Sequence, residues 1–268
     1  MRAIGLVALA VFRESARDRV PMAIVGFGIV LVAASYLISQ MTAGQDLKII
    51  KDIGLAALSI LGLFIAVFIG IGLVAKEVER RSIYSLLSKP VTREQLLIGK
   101  YCGLVMTLAV NMLAMCAAFY AVLFYQQLTV PSNVQASWAA PATDPRLMIA
   151  VVLIFGELMV MTAVAVFFST FAGPVTSILL TLALWVAGHF NADLRNFQEV
   201  ADSPAAIYVA RVLYYVLPNL APFNVKAEVV HGVAVSASHV GLTLVYALVY
   251  VAMLLVAAMA IFRRRDFK

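Results

Sequence analysis

Charge is what this sequence has least of. Asp, Glu, Lys and Arg make up 13% of its 268 residues, against the ~25% usual in soluble domains, while 63% are hydrophobic and the mean hydropathy is +0.98. So little polar matter cannot cover a folded surface, which excludes a water-soluble globular protein. Strand-like alternation of apolar and polar residues is also missing, which excludes a membrane β-barrel. The remaining fold class is all-α: a polytopic membrane protein whose helices satisfy their own backbone hydrogen bonds in lipid. Cysteine is scarce as well. Cys102 and Cys116 stand fourteen residues apart in one apolar run, too far along a helix to bridge, and read as buried free thiols. Neither HExxH nor GxSxG occurs, nor a pair of intramembrane aspartates, so the chain offers no enzyme chemistry of its own.

What is present is long hydrocarbon. About 20 apolar residues in helix cross a ~30 Å hydrocarbon core, and six spans are expected, near 21–39, 53–75, 101–125, 147–169, 174–190 and 240–262, the fifth being short. No soluble domain fits between them, and residues 1–268 read as one transmembrane domain. Residues 1–20 resemble a signal peptide at first sight, but "FRESARDR" follows where a mature domain would have to begin beside another span. They are expected to form an amphipathic interfacial helix, with Ile4, Val7 and Val11 on one side and Arg13, Arg17 and Arg19 toward headgroups. Residues 191–239 read as an external segment of short helices resting on the membrane or dipping into it, broken by Pro204, Pro218 and Pro222.

Six spans put both termini and residues 76–100 on one side, and that side holds 14 of the 20 Lys and Arg. By the positive-inside rule it is cytoplasmic, which places the chain in the plasma (inner) membrane with both termini inside. The net charge of +6 therefore reflects topology and anionic lipid rather than nucleic acid, for which no basic domain stands apart.

One stretch is dense in charge. "KEVERRSIYSLLSKPVTREQLLIGK", residues 76–100, carries nine charged side chains between two apolar runs. Glu77 and Arg81 are spaced i, i+4 in the favourable order. Pro90 disfavours helix at Lys89, and "TREQ" restarts it as a capping box from Thr92 to Gln95, running without a break into the third span. Helix connections in bundles usually take ~2–8 residues, so a broken, amphipathic pair of helices is more than a connector needs. It suits a docking surface, although a basic anchor loop would also satisfy the composition.

Two further features stand out within the spans. Gly62, Ala66 and Gly70 recur every four residues and would let a neighbouring helix approach closely. Glu157 is an ionisable group in mid-span, where a charge costs at least ~2.5–3.5 kcal/mol, so it must face protein or water. It either lines a cavity or coupling site, or is a protonated carboxyl bonded to a neighbouring helix through Asn111 or Thr162. His189, Asp193, Glu228, His231 and His239 gather in or near the external segment but lack tight ligand spacing, and no metal site is expected.

The stretch 76–100 with Tyr101 resembles the loop of ABC-2 type permeases, the membrane subunits of bacterial ATP-binding-cassette transporters, and is similar in particular to permeases of nitrous-oxide reductase maturation systems. "AGHFNADLRNF" (187–197) and "LPNLAPFNVKAEVVHG" (217–232) are weaker echoes. The resemblance implies that this loop is the coupling helix that docks on an ATPase subunit, through Glu77, Glu79, Arg80, Arg81, Lys89, Pro90 and Arg93, with "FSTFAG" (168–173) as a smaller contact. It also implies a second permease copy or paralogue, and leaves room for accessory periplasmic or membrane proteins. ATP and Mg would belong to the partner. A nucleotide-binding chain needs GxxxxGK[ST], whereas Gly99-Lys100 here is followed by Tyr101 and has Glu94 where the first glycine belongs. The expectation is therefore the permease of an exporter. Two alternatives stand beside it: a non-transporting anchor or mechanical transmitter driven by the same ATPase, and a proton-coupled secondary transporter using Glu157, although the internal repeats the latter would need are not visible.

Overall fold

The computed structural model describes residues 2–40, 46–80, 92–136, 138–191 and 217–264, together with residues 208, 211 and 214. These are helical almost throughout. The helices are α1 (Arg2–Ser15), α2 (Arg19–Ser39), α3 (Asp46–Arg80), α4 (Arg93–Thr129), α5 (Ser132–Gln135), α6 (Arg146–Ser169), α7 (Pro174–His189), α8 (Lys226–Val230) and α9 (Ala237–Arg264), with a single 3-10 turn at Ala221–Phe223. Among the described residues, α2, α3, α4, α6 and α9 are long and apolar enough to cross a membrane, and α7 is a shorter apolar helix.

The ends of these helices differ from the expected spans for a physical reason. Hydropathy marks where lipid begins, but a helix continues as long as its backbone bonds do. Thus α3 has 35 residues, ~52 Å at 1.5 Å per residue, and α4 has 37, ~55 Å, both well beyond a ~30 Å core. The start of α4 is set by its cap. Thr92 Oγ1 accepts from Gln95 N–H at 3.3 Å, and Gln95 Oε1 accepts from Thr92 N–H at 3.3 Å.

α6 is the buried centre of the bundle, with α3, α9, α7 and α4 packed around it, while α2 lies on α3 and α4. Close approach depends on glycine. A Cβ on Gly62 would lie 2.5 Å from Leu158 Cδ1, one on Gly70 would lie 2.9 Å from Ala165 Cβ, and Ala66 between them is buried. The α3 stripe therefore lies against α6 of the same chain. Several hydroxyls in the spans bond back to their own helix, as Thr107 does to Gly103 O (3.0 Å) and Thr181 to Ser177 O (2.7 Å).

Side-chain contacts between helix ends also fix helix direction. Near the start of α3, Lys51, only 1% exposed, donates to Pro141 O at 2.7 Å, and Arg146 at the start of α6 donates from Nη1 to Gly232 O, just ahead of α9. Hence α3, α6 and α9 begin at one end of the bundle. Gly232, at φ +73, takes the left-handed conformation of the turn after α8, where a Cβ would also lie 3.2 Å from Ala139 O.

α1 adds a contact that the sequence did not announce. Its Val7 and Val11 do not face outward as the apolar side of a surface helix; they sit on α4, where Cβ atoms at Gly99 and Gly103 would lie within 2.7 Å of them. Leu6 and Leu9 on the opposite side are exposed instead. The face so covered is the one that carries Ile4, Val7 and Val11, away from Arg13, and the glycine notch on α4 receives it.

Candidate functional site

Two regions were singled out by sequence, and the structure treats them differently. In the first, α3 continues through Glu77, Glu79 and Arg80, and α4 begins at Arg93; only the backbone of these four residues is described. Arg81, Lys89 and Pro90 lie outside the described residues. The apolar run of α3 ends at Ala75, so residues 76–80 carry the helix ~7 Å further, into the charged stretch. On the same side the "FSTFAG" turn closes α6 onto α7. Phe167, Phe168 and Phe171 form an aromatic cluster with centroids 5.4–5.9 Å apart, and Phe171 is exposed.

The second region is built around Glu157, 1% exposed and close to the middle of α6. Neither expected partner reaches it. Thr162 Oγ1 donates to Leu158 O of its own helix at 2.7 Å, and Asn111 Nδ2 has no hydrogen-bond partner. Both partners come instead from α7. Trp185 Nε1 donates to Glu157 Oε1 at 2.6 Å, and His189 Nε2 lies 3.6 Å from the same oxygen. The two rings meet at a tilt of 58°, centroids 4.6 Å apart, and His189 Nδ1 lies 3.1 Å from Trp185 O.

The length of α7 explains the meeting. Sixteen residues make ~24 Å of helix, short of a crossing, so α7 ends at His189 level with the middle of α6. The carbonyls freed at a helix end need donors inside a membrane. Leu220 N–H supplies one, to Gly188 O at 3.0 Å, and Asn191 Nδ2 reaches Tyr214 O (3.3 Å) and Leu217 O (3.1 Å). The returning chain fits because a Cβ at Gly188 would meet Leu220 at 2.8 Å and one at Gly156 would meet Phe223 at 3.3 Å. Residues 217–225 therefore pack beside Glu157 where α7 stops, and Asn219 N–H is held by Tyr246 Oη of α9 at 2.9 Å. Lys226, at the start of α8, has its proton affinity lowered by burial and raised in part by the Glu157 carboxylate.

The histidines do not assemble a metal site. His231 Nδ1 bonds Ala227 O at 2.8 Å and His239 Nε2 bonds Pro222 O at 2.9 Å, while Asp193 lies outside the described residues. Among the described residues no three His, Cys, Asp or Glu side chains gather for an ion. Sequence reasoning missed Trp185 and misplaced His189. The signal was their i, i+4 spacing in a helix too short to reach the far surface.

A family model described as ABC-2 family transporter protein matches residues 6–267, nearly the whole chain. No curated protein matches it.

Proposed function

The chain belongs to the ABC-2 family of transporter proteins, and from that premise we propose that it is the permease of an ATP-driven exporter in the plasma (inner) membrane. It is a multi-pass membrane protein and a transmembrane subunit of an ABC transporter, a class that associates with an ABC ATPase. In the proposed assembly two permeases, identical or paralogous, pair with two ATPase subunits. ATP and Mg are bound by the partner, and this chain hydrolyses nothing. ATP-driven closure of the ATPases pushes on the 76–100 segment, which shifts α2, α3 and α7 to open an outward path.

The observation that carries the docking proposal is the density of charge at 76–100, on helices that outrun the bilayer at both its ends. Mixed charge of that kind gives register and partner choice more than raw affinity. Glu77, Glu79, Arg80, Arg81, Lys89, Pro90 and Arg93 form or shape the contact. The likeness of this segment to nitrous-oxide reductase maturation permeases belongs to the same proposal.

The test is co-purification. Expressed with the ATPase encoded beside it, the chain should yield a stable complex that hydrolyses ATP faster than the ATPase alone. Reversing Arg80 and Arg81 to Glu should dissociate or uncouple that complex, and undiminished stimulation in the double variant would sink the docking role.

A further inference from the structure

We propose that Glu157 and His189 bind one proton between them, and that this proton latches the end of α7, with the returning chain 217–225, onto α6. The argument starts from the imidazole. His189 Nδ1 lies 3.1 Å from a carbonyl oxygen, Trp185 O, which can only accept, so Nδ1 carries a hydrogen. In a neutral ring Nε2 is then bare. It would present a lone pair, at 3.6 Å, to a carboxylate oxygen that already accepts from Trp185 Nε1 at 2.6 Å. Two lone pairs facing each other in a site where Glu157 keeps 2% of its side-chain surface repel with little solvent screening. One added proton removes the conflict, whether it sits on Nε2 as an imidazolium or on the carboxyl.

The proton holds more than two side chains. The last turn of α7 also accepts Leu220 N–H at Gly188 O, and Gly188 and Gly156 each receive a side chain from 217–225. Freeing His189 from Glu157 therefore frees the seam between α6, α7 and the returning segment. His189 keeps 20% of its side chain exposed. The other ionisable group acting on Glu157 among the described residues is Lys226 of α8; Trp185 acts on it only as a hydrogen-bond donor. The latched form holds one proton that the deprotonated, released form lacks, so raising the pH favours release. The seam itself stands on geometry alone; that it lies at the outer mouth of an export path rests on the function proposed above.

The full chain carries two tryptophans, so Trp138→Phe leaves Trp185 as the reporter, its ring centroid 4.6 Å from that of the imidazole. In lipid nanodiscs, Trp185 emission is followed between about pH 5 and 9, a range that brackets free imidazole, together with amide exchange of the 217–225 peptide corrected for intrinsic rates. One transition in emission is expected, accompanied by at least a tenfold rise in 217–225 exchange on its alkaline side. The transition should be lost in His189→Gln, move to lower pH in Glu157→Gln, which keeps an acceptor for Trp185, and survive in Lys226→Met. Emission independent of pH, a transition that persists in His189→Gln, or one lost in Lys226→Met overturns the shared proton. A transition without any change in exchange overturns the latch. Formation of the ATPase complex, measured on the same samples, separates these outcomes from a failure of the permease assignment.

Discussion

Two glycines on one face of α3 differ in what a methyl group would meet, and the difference is testable. At Gly62 a new Cβ runs into Leu158 Cδ1 at 2.5 Å and Met112 Sδ at 3.2 Å, both far ends of flexible side chains that can rotate away. At Gly70 it meets Ala165 Cβ at 2.9 Å, an atom fixed to the α6 backbone, with Thr162 O and Val166 N just behind. Overpacking of this kind costs about 1–3 kcal/mol where nothing yields. Gly70→Ala should therefore lower the melting temperature of the purified protein clearly more than Gly62→Ala, and the reverse order would show that the helices separate rather than the side chains adjusting. Glu157 shows how far single residues were legible. As the one acidic residue in an apolar run it announced itself, because its cost in lipid is a property of the residue. Its partners did not, since which face of α7 turns toward α6 depends on packing that no local pattern encodes. Asn111 and Thr162 had suitable chemistry but lay on the wrong rotation.

Elements were legible in their centres and less so at their ends and orientations. The apolar cores of α2, α3, α4, α6 and α9 fall within the spans expected from composition, and the capping box fixed the start of α4 to the residue. α3 begins at Asp46 rather than 53 because charged residues continue a helix once it has left the lipid. In α1 the side that carries Ile4, Val7 and Val11 was legible as the apolar face opposite Arg13, whereas the surface that receives it was not. Its seat on α4 is set by Gly103, where a Cβ would lie 2.6 Å from Ala8 O and 2.7 Å from Val11 Cβ. Neither atom can rotate aside, so Gly103→Ala must lift α1 as a unit. Amide exchange over residues 2–15 should rise several-fold in that variant while α6 peptides stay unchanged. Unaltered exchange in α1 would mean that the helix is held by something other than this notch.

At the scale of the whole molecule the question is parity. Among the described residues five helices are long enough to cross, and five crossings would leave the termini on opposite sides; the sequence demanded an even number because 14 of 20 basic residues then share one face. The structure supplies a physical route to even parity. α6 and α9 start at the same end, tied there by Arg146 to Gly232, so the chain between them must travel back along the bundle. α7 covers ~24 Å of that return as helix, and among the described residues beyond it, 217–225 lie packed against Gly156 and Gly188. A hydropathy count sees only the helical part and scores the return as marginal. Labelling with a membrane-impermeant maleimide decides the matter in a background lacking Cys102 and Cys116. Ser132→Cys and Ser236→Cys, both exposed at the end where α3, α6 and α9 begin, should react in intact cells. Ser82→Cys, in the charged segment, and a cysteine appended after Lys268 should react only after lysis. If the appended cysteine reacts from outside while Ser82→Cys does not, α7 with its returning chain does not amount to a crossing, and the common cytoplasmic face inferred from charge is wrong.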